Sequence, residues 1–127
     1  MNMLANAADW LTEQRHEHLT DAVTYWRGGA SVEVSATVGS SEHDVHDGFG
    51  GSIRVETRDY LIRTEDLILD DERTLPVSGD QVVEVIDGTE VTYEVAAPGQ
   101  NEPCFRYSDS RRKTLRIHTK NIDEVEL

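Results

Sequence analysis

The sequence predicts a mainly β fold, a small antiparallel β-barrel or sandwich with an N-terminal α-helix. Three observations carry this. Beyond Thr20, apolar and polar residues alternate with a period of two in several short runs, most strictly at Val32, Val34, Ala36 and Val38. Turn chemistry punctuates those runs, at Gly28-Gly29, at Pro76 to Gly79 and at Asp87-Gly88. No helical period recurs between them, which argues against the alternating strand and helix order of a parallel α/β sheet.

The first element is the helix. Leu4, Ala7, Ala8, Leu11, His18 and Leu19 fall at helical spacing, with Asp9, Glu13, Arg15 and Glu17 largely on the other side, so residues 4–19 read as one amphipathic helix. Residues 22–27 and 31–38 then read as a β-hairpin around Gly28-Gly29. Residues 39–52 hold Gly39, Gly48, Gly50 and Gly51 and keep neither period for long, which predicts a long loop. Alternation returns at Ile53, Val55 and Thr57 and changes phase at Arg58-Asp59, so that Tyr60 and Ile62 continue the inward set; a β-bulge there is the expected cause. Residues 82–86 and 89–97 flank Asp87-Gly88, the strongest hairpin signal in the chain. Phe105 and Tyr107, then Leu115, Ile117 and Thr119, supply the last strands, and the acidic residues 121–127 read as a frayed end. The 127 residues thus suit one domain, residues 1–127, with the barrel over about 22–120.

Charge limits the function classes. Twenty-five acidic against twelve basic residues give a net charge of −13, a field that repels phosphate backbones, so the domain as a whole is not expected to bind nucleic acid specifically. The charge is also segregated. Residues 65–94 carry Glu65, Asp66, Asp70, Asp71, Glu72, Asp80, Glu84, Asp87, Glu90 and Glu94 against the single base Arg73, whereas residues 106–120 carry six bases and one acid. Opposite-signed faces follow, either neighbouring within one molecule or complementary between copies or partners. Cys104 is the only cysteine, which rules out an internal disulfide and suits a reducing compartment. No apolar run approaches the ~18 residues of a membrane span, and the start lacks a basic segment followed by an apolar one, so neither membrane insertion nor export is expected.

No constellation assembles an active site, and neither a metal nor another cofactor is expected. His16 and His18, two apart on a helix, point about 200° apart and cannot share one ion. His43, Asp44 and His46 converge only if their segment forms a turn, which leaves a small metal-dependent enzyme as one alternative reading. Cys104 lacks the signature of a nucleophile, although Arg106 and a distant His118 are its conceivable helpers; His118 otherwise reads as a strand residue facing solvent or a partner. Asp70-Asp71-Glu72 lacks the ligand spacing of a calcium loop and reads as a surface turn. Arg106 and Tyr107 followed by Arg111, Arg112 and Lys113 interleave an aromatic with bases. That pattern fits a protein-facing basic patch or, as a second alternative, an oligonucleotide-binding-like barrel.

Four stretches resemble a known family: Arg58-Asp59-Tyr60-Leu61-Ile62, Leu75-Pro76-Val77-Ser78-Gly79-Asp80-Gln81-Val82, Gly88-Thr89-Glu90-Val91-Thr92-Tyr93-Glu94-Val95 and Arg106-Tyr107-Ser108-Asp109. Together they resemble the small head–tail joining (head completion, neck) proteins of tailed phages and prophages. The resemblance implies a β-barrel with an N-terminal helix, a non-enzymatic ring subunit beneath the portal, and contacts with copies of itself, portal or adaptor proteins and tail proteins. It also implies a virion component assembled in the bacterial host cytoplasm. The family has no catalytic motif to carry over. The expected contact residues are His43, His46 and Phe49 in the 39–52 segment and Arg106, Tyr107, Arg111, Arg112 and Lys113 in the basic segment.

Overall fold

A computed structural model describes residues 21–46, 48–99 and 102–127. The helix expected over residues 4–19 lies outside them, as do His16 and His18. The strands are β1 (Asp21–Arg27), β2 (Ala30–His46), β3 (Ser52–Arg63), β4 (Ile68–Leu69), β5 (Glu72–Arg73), β6 (Gln81–Ile86), β7 (Thr89–Val95), β8 (Phe105–Tyr107) and β9 (Thr114–Glu126), with one turn of 3-10 helix at Thr64–Asp66. Every pairing is antiparallel.

Short-range chemistry sets the hairpins. Arg27 pairs with Ala30 across Gly28, whose φ of 59° lies where glycine carries no Cβ penalty. Ile86 pairs with Thr89 across Asp87 and Gly88, at φ 49° and 78°, and β4 and β5 are joined by Asp70 and Asp71, at φ 52° and 64°. Positive φ at both central residues is what a tight turn matched to the strand twist requires, and Asp tolerates it better than most residues. Asp70-Asp71-Glu72 is therefore a surface hairpin turn.

The larger sheet runs β3-β2-β1-β6-β7-β9, and β9 returns to pair with β3, so the strands form a closed circuit. β9 achieves this by length: residues 114–119 pair with β3, and residues 119–126 pair with β7. β8 lies on the other edge of β9, opposite residues 115–117. The residues expected to fray at 121–127 are thus mostly strand, because β7 satisfies their backbone groups, and the Leu127 amide donates to the Gly88 carbonyl at 3.0 Å.

Two further expectations are corrected. The 39–52 segment is not a long loop: β2 runs to His46 and β3 starts at Ser52, so the two form a ribbon paired from Thr37 with Leu61 out to His46 with Ser52. Its polar residues conceal the strand because this stretch sends few side chains into the core. There is also no bulge at Arg58-Asp59, where pairing with β2 and β9 is uninterrupted. The change of phase arises because β3 is covered on both faces, with Thr57 and Asp59 buried on one and Tyr60 and Ile62 on the other. The irregularity lies instead between β7 and β9, where Thr92 pairs with Asp123 and Tyr93 with Asn121, leaving Ile122 as the extra residue.

The core collects alternate side chains from each strand: Val23 and Tyr25, Val34 and Ala36, Tyr60 and Ile62, Val82, Val95, Leu115 and Ile117, with Leu67 and Leu69 beneath. Two polar groups are built into the same face. Asp80 accepts from the Tyr25 hydroxyl and from Arg27 Nε at 3.0 Å and Nη2 at 2.8 Å; Arg27 also reaches Thr74 Oγ1 and the Leu75 carbonyl, tying β1 to the segment that leads into β6. Glu84 accepts from Tyr60 at 2.6 Å and from Arg58 at 2.5 Å, and the Arg58 guanidinium lies 4.9 Å from the Tyr93 ring centroid. Burial together with the adjoining carboxylate pushes both the Tyr25 and the Tyr60 hydroxyl well above the ordinary phenol range, so each stays a donor.

Ile62 is fully buried between the two pairings of β3, and Ile62→Ala is expected to cost about 3 kcal/mol from lost transfer energy and a residual cavity. Urea unfolding followed by far-ultraviolet circular dichroism checks this; a loss below about 1 kcal/mol would contradict the core assignment.

Candidate interaction surface

The basic segment is a rigid turn between β8 and β9. The Asp109 carboxylate accepts from the backbone amides of Lys113 at 3.0 Å and Thr114 at 2.9 Å, and the Ser108 amide donates to the Thr114 carbonyl at 2.9 Å. Thr64 fastens the turn to the end of β3, its amide donating to the Lys113 carbonyl at 2.8 Å and its hydroxyl to the Arg112 carbonyl at 2.9 Å. This holds Arg112 at φ 59° and projects Arg111, Arg112 and Lys113 into solvent, with Arg106 exposed on β8. Among the described residues none of these four cations forms an ion pair with a carboxylate, although the chain carries twice as many acids as bases. Tyr107 packs against the core and carries Arg112 over its ring at 5.6 Å from the centroid. A ring engaged in this way is a poor platform for stacking a base, which weighs against the oligonucleotide-binding reading.

The second expected contact region is the ribbon. Opposite residues share a face, so Ser41, His43, Val45, Ile53, Val55 and Thr57 lie on one side, and Glu42, Asp44, His46, Arg54 and Glu56 on the other. His43 and His46 therefore point to opposite faces of a strand and cannot chelate one ion together, which overturns the metal-site alternative built on His43, Asp44 and His46. Asp44 and Glu42 sit 3.7 Å and 3.4 Å from the Arg54 guanidinium instead. Phe49 stands at the tip, 95% exposed, and Ile53 is exposed beside it. The loop between β7 and β8 meets the ribbon at Gly99, where a Cβ would come within 3.1 Å of the Val45 side chain, so glycine permits that close approach.

At the base of the ribbon, on the face of β3 opposite the core, lies a buried polar cluster that the sequence reading missed. Asp59, 0% exposed, accepts from the Ser41 hydroxyl, from Thr57 Oγ1 at 2.8 Å, from Arg116 Nε at 2.7 Å and from His118 Nδ1 at 2.8 Å. Arg116 continues to the Ser40 carbonyl at 2.9 Å. The His43 ring stands edge-on to His118 at 4.8 Å. His118 is thus buried and engaged, and does not face solvent or a partner as expected, because β9 places it directly opposite Asp59. The His118 amide donates to the Cys104 carbonyl at 2.8 Å, while Cys104 packs against the core with its thiol toward the Pro76 carbonyl. Burial opposes ionisation of Asp59, but the hydrogen bonds from His118, Ser41, Thr57 and Arg116 outweigh it and hold the carboxyl well below the usual carboxylate range. The only trace of this cluster in the sequence is the change of phase at Arg58-Asp59.

The structure does not bring the two expected contact regions together. The ribbon tip adjoins Ser52 and the basic turn adjoins Thr64, at opposite ends of β3 and roughly 35 Å apart at the usual rise per residue. Among the described residues no group of three or more His, Cys, Asp or Glu side chains is arranged to hold a metal ion, and no helix is long and apolar enough to cross a membrane.

No curated protein matches the chain. A family model does: that of the phage head-tail joining protein, over residues 1–126. With the match spanning nearly its whole length, the chain belongs to that family and is a structural component of the phage virion.

Because the folded Asp59 carboxyl titrates below its unfolded value, its contribution to stability is complete above the unfolded pKa and is lost as pH falls through the folded one. Asp59→Asn is expected to lose about 3 kcal/mol at neutral pH, and the gap from wild type should narrow between about pH 5 and pH 2. Denaturant titrations across that range test it; a gap independent of pH would show that Asp59 is not held ionised.

Proposed function

We propose, from the chain's membership of the phage head-tail joining protein family, that it is a non-enzymatic ring subunit linking the portal or an adaptor protein on the head side to the tail. Its partners are copies of itself and the proteins above and below, and it assembles onto the particle in the bacterial host cytoplasm. The observation that carries this reading is the family match over residues 1–126. The closed circuit of strands supports it as the wall of a small barrel, able to hold side chains at fixed separations without ligand or metal.

The two surfaces at opposite ends of β3 suit a protein that meets more than one neighbour. His46 and Phe49 on the ribbon form one contact, and Arg106, Arg111, Arg112 and Lys113 the other. His43 and Tyr107 are half-buried supports of these surfaces, His43 against His118 and Tyr107 beneath Arg112. Among the described residues these four exposed cations have no acidic partner, which suits an acidic protein surface, because complementary charge steers the encounter and fixes its register. Along a DNA conduit, the excess of acid elsewhere on the chain would hinder retention of the passing duplex.

Replacing Arg111 and Arg112 together by Glu tests the basic contact. Both side chains are exposed, so unfolding free energy should stay within about 0.5 kcal/mol of wild type. Particles from a strain carrying the variant should lack joined tails, as counted by electron microscopy. Normal yields of tailed particles would remove the basic turn from the assembly surface.

A further inference from the structure

The wall of the circuit that faces away from the basic turn holds an open groove. It has a volume of about 550 Å³ and is lined by Thr24, Trp26, Gln81, Val83, Glu90 and Thr92, with Gly28 and Gly79 at one end. These residues lie on the side of β1, β6 and β7 opposite the core, where Trp26 is 38% exposed. The cross-strand registers extend the groove on both sides. Glu33 stands opposite Thr24, Thr24 opposite Val83, Val83 opposite Thr92, and Thr92 opposite Asp123, so a polar and apolar floor ends in a carboxylate at each side. Among the described residues Glu33, Glu90 and Asp123 form no ion pair. Trp26 and Glu90 border the groove at different points: Trp26 stands opposite Gln81, which stands opposite Glu94, whereas Glu90 stands opposite Val85 four residues further along β6.

The chain carries the complementary surface itself. Arg111 projects from the basic turn and is free of the stacking that engages Arg112 on Tyr107. One molecule cannot join the two surfaces. In the circuit β3-β2-β1-β6-β7-β9 the strands β3 and β6 are three places apart in either direction, and the turn is fastened to the end of β3 while the groove is centred on β6. We infer that the Trp26 and Glu90 groove receives the basic turn of a second copy, its cations set against the carboxylates that border the groove and Arg111 against Glu90. Such a contact is head-to-tail, and it closes a ring when the rotation between copies divides a full turn without translation along the axis. It rests on the ring reading above and assigns that reading its subunit interface.

A charge exchange tests it in the full-length chain. Glu90→Arg and Arg111→Glu are introduced singly and together into the gene of the producing strain, with infectious particle yield as the readout and thermal melting of each purified variant as the folding control. Each single variant should lower the yield by about a hundredfold through like-charge contact, and the pair should recover it to within about tenfold of wild type. A folded double variant as defective as the singles overturns the inference, provided wild-type protein is present in purified particles. Absence of wild-type protein from intact particles overturns the ring reading itself, and the inference with it. If Glu90→Arg does not fold, Asp123→Arg carries the same exchange. If Glu90→Arg and deletion of residues 2–20 lower the melting temperature alike while Arg111→Glu changes nothing, the groove belongs to the chain's own N-terminal segment and the inference fails.

Discussion

The fold depends on β9 pairing twice, with β3 along its first half and with β7 along its second. Without that, the strand order from β3 to β7 would be an open sheet with two long edges, each a row of unpaired backbone groups inviting aggregation. Closure makes β3, β2, β1, β6, β7 and β9 mutually dependent. The extra residue at Ile122 fits this, since a bulge increases local twist at the point where β9 passes from one partner to the other. The acidic C-terminal residues are therefore part of the architecture.

Three buried carboxylates reinforce that closure, each held by an arginine from another strand. Arg27 binds Asp80, Arg58 binds Glu84, and Arg116 binds Asp59. Only 37% of the residues are apolar, and part of the interior is filled by Tyr25 and Tyr60, whose hydroxyls require acceptors. Asp80 and Glu84 supply them. Buried ion pairs contribute little net stability over apolar substitutes, but losing one partner is costly, so these groups penalise strand registers that separate them. Asp59 does this on the opposite face, where Ser41 and Arg116 lock the base of the β2 and β3 ribbon to β9. The two exposed surfaces are thereby held at fixed positions relative to one another.

How much of this was legible in the sequence follows from the range of the interactions. Gly28-Gly29 and Asp87-Gly88 announce their hairpins because turn conformation is decided by the residues within the turn. The alternation from Val32 to Val38 marks a strand with one buried face. The outer half of the same strand, with Ser40, Ser41, Glu42 and Asp44, has no such face and reads as loop, although β3 pairs with all of it. Asp59 and His118 were the least legible. Burial of a charge depends on partners 18, 57 and 59 residues distant, and neither composition nor period reports them. Of the candidate surface, the basic turn was legible as a run of cations in an acidic chain, and Phe49 as an apolar residue among glycines. Their separation along β3, and the Trp26 and Glu90 groove, required the register.

The chain is a structural component of the virion, and its closed circuit of strands holds the ribbon tip and the basic turn at opposite ends of β3. The most direct measurement is quantitative mass spectrometry of density-purified particles, with the portal protein as the internal copy-number standard. The chain is expected in intact particles at a constant ring-like ratio to the portal. Its absence from intact particles, with the portal present, would show that it is not a ring subunit of the virion.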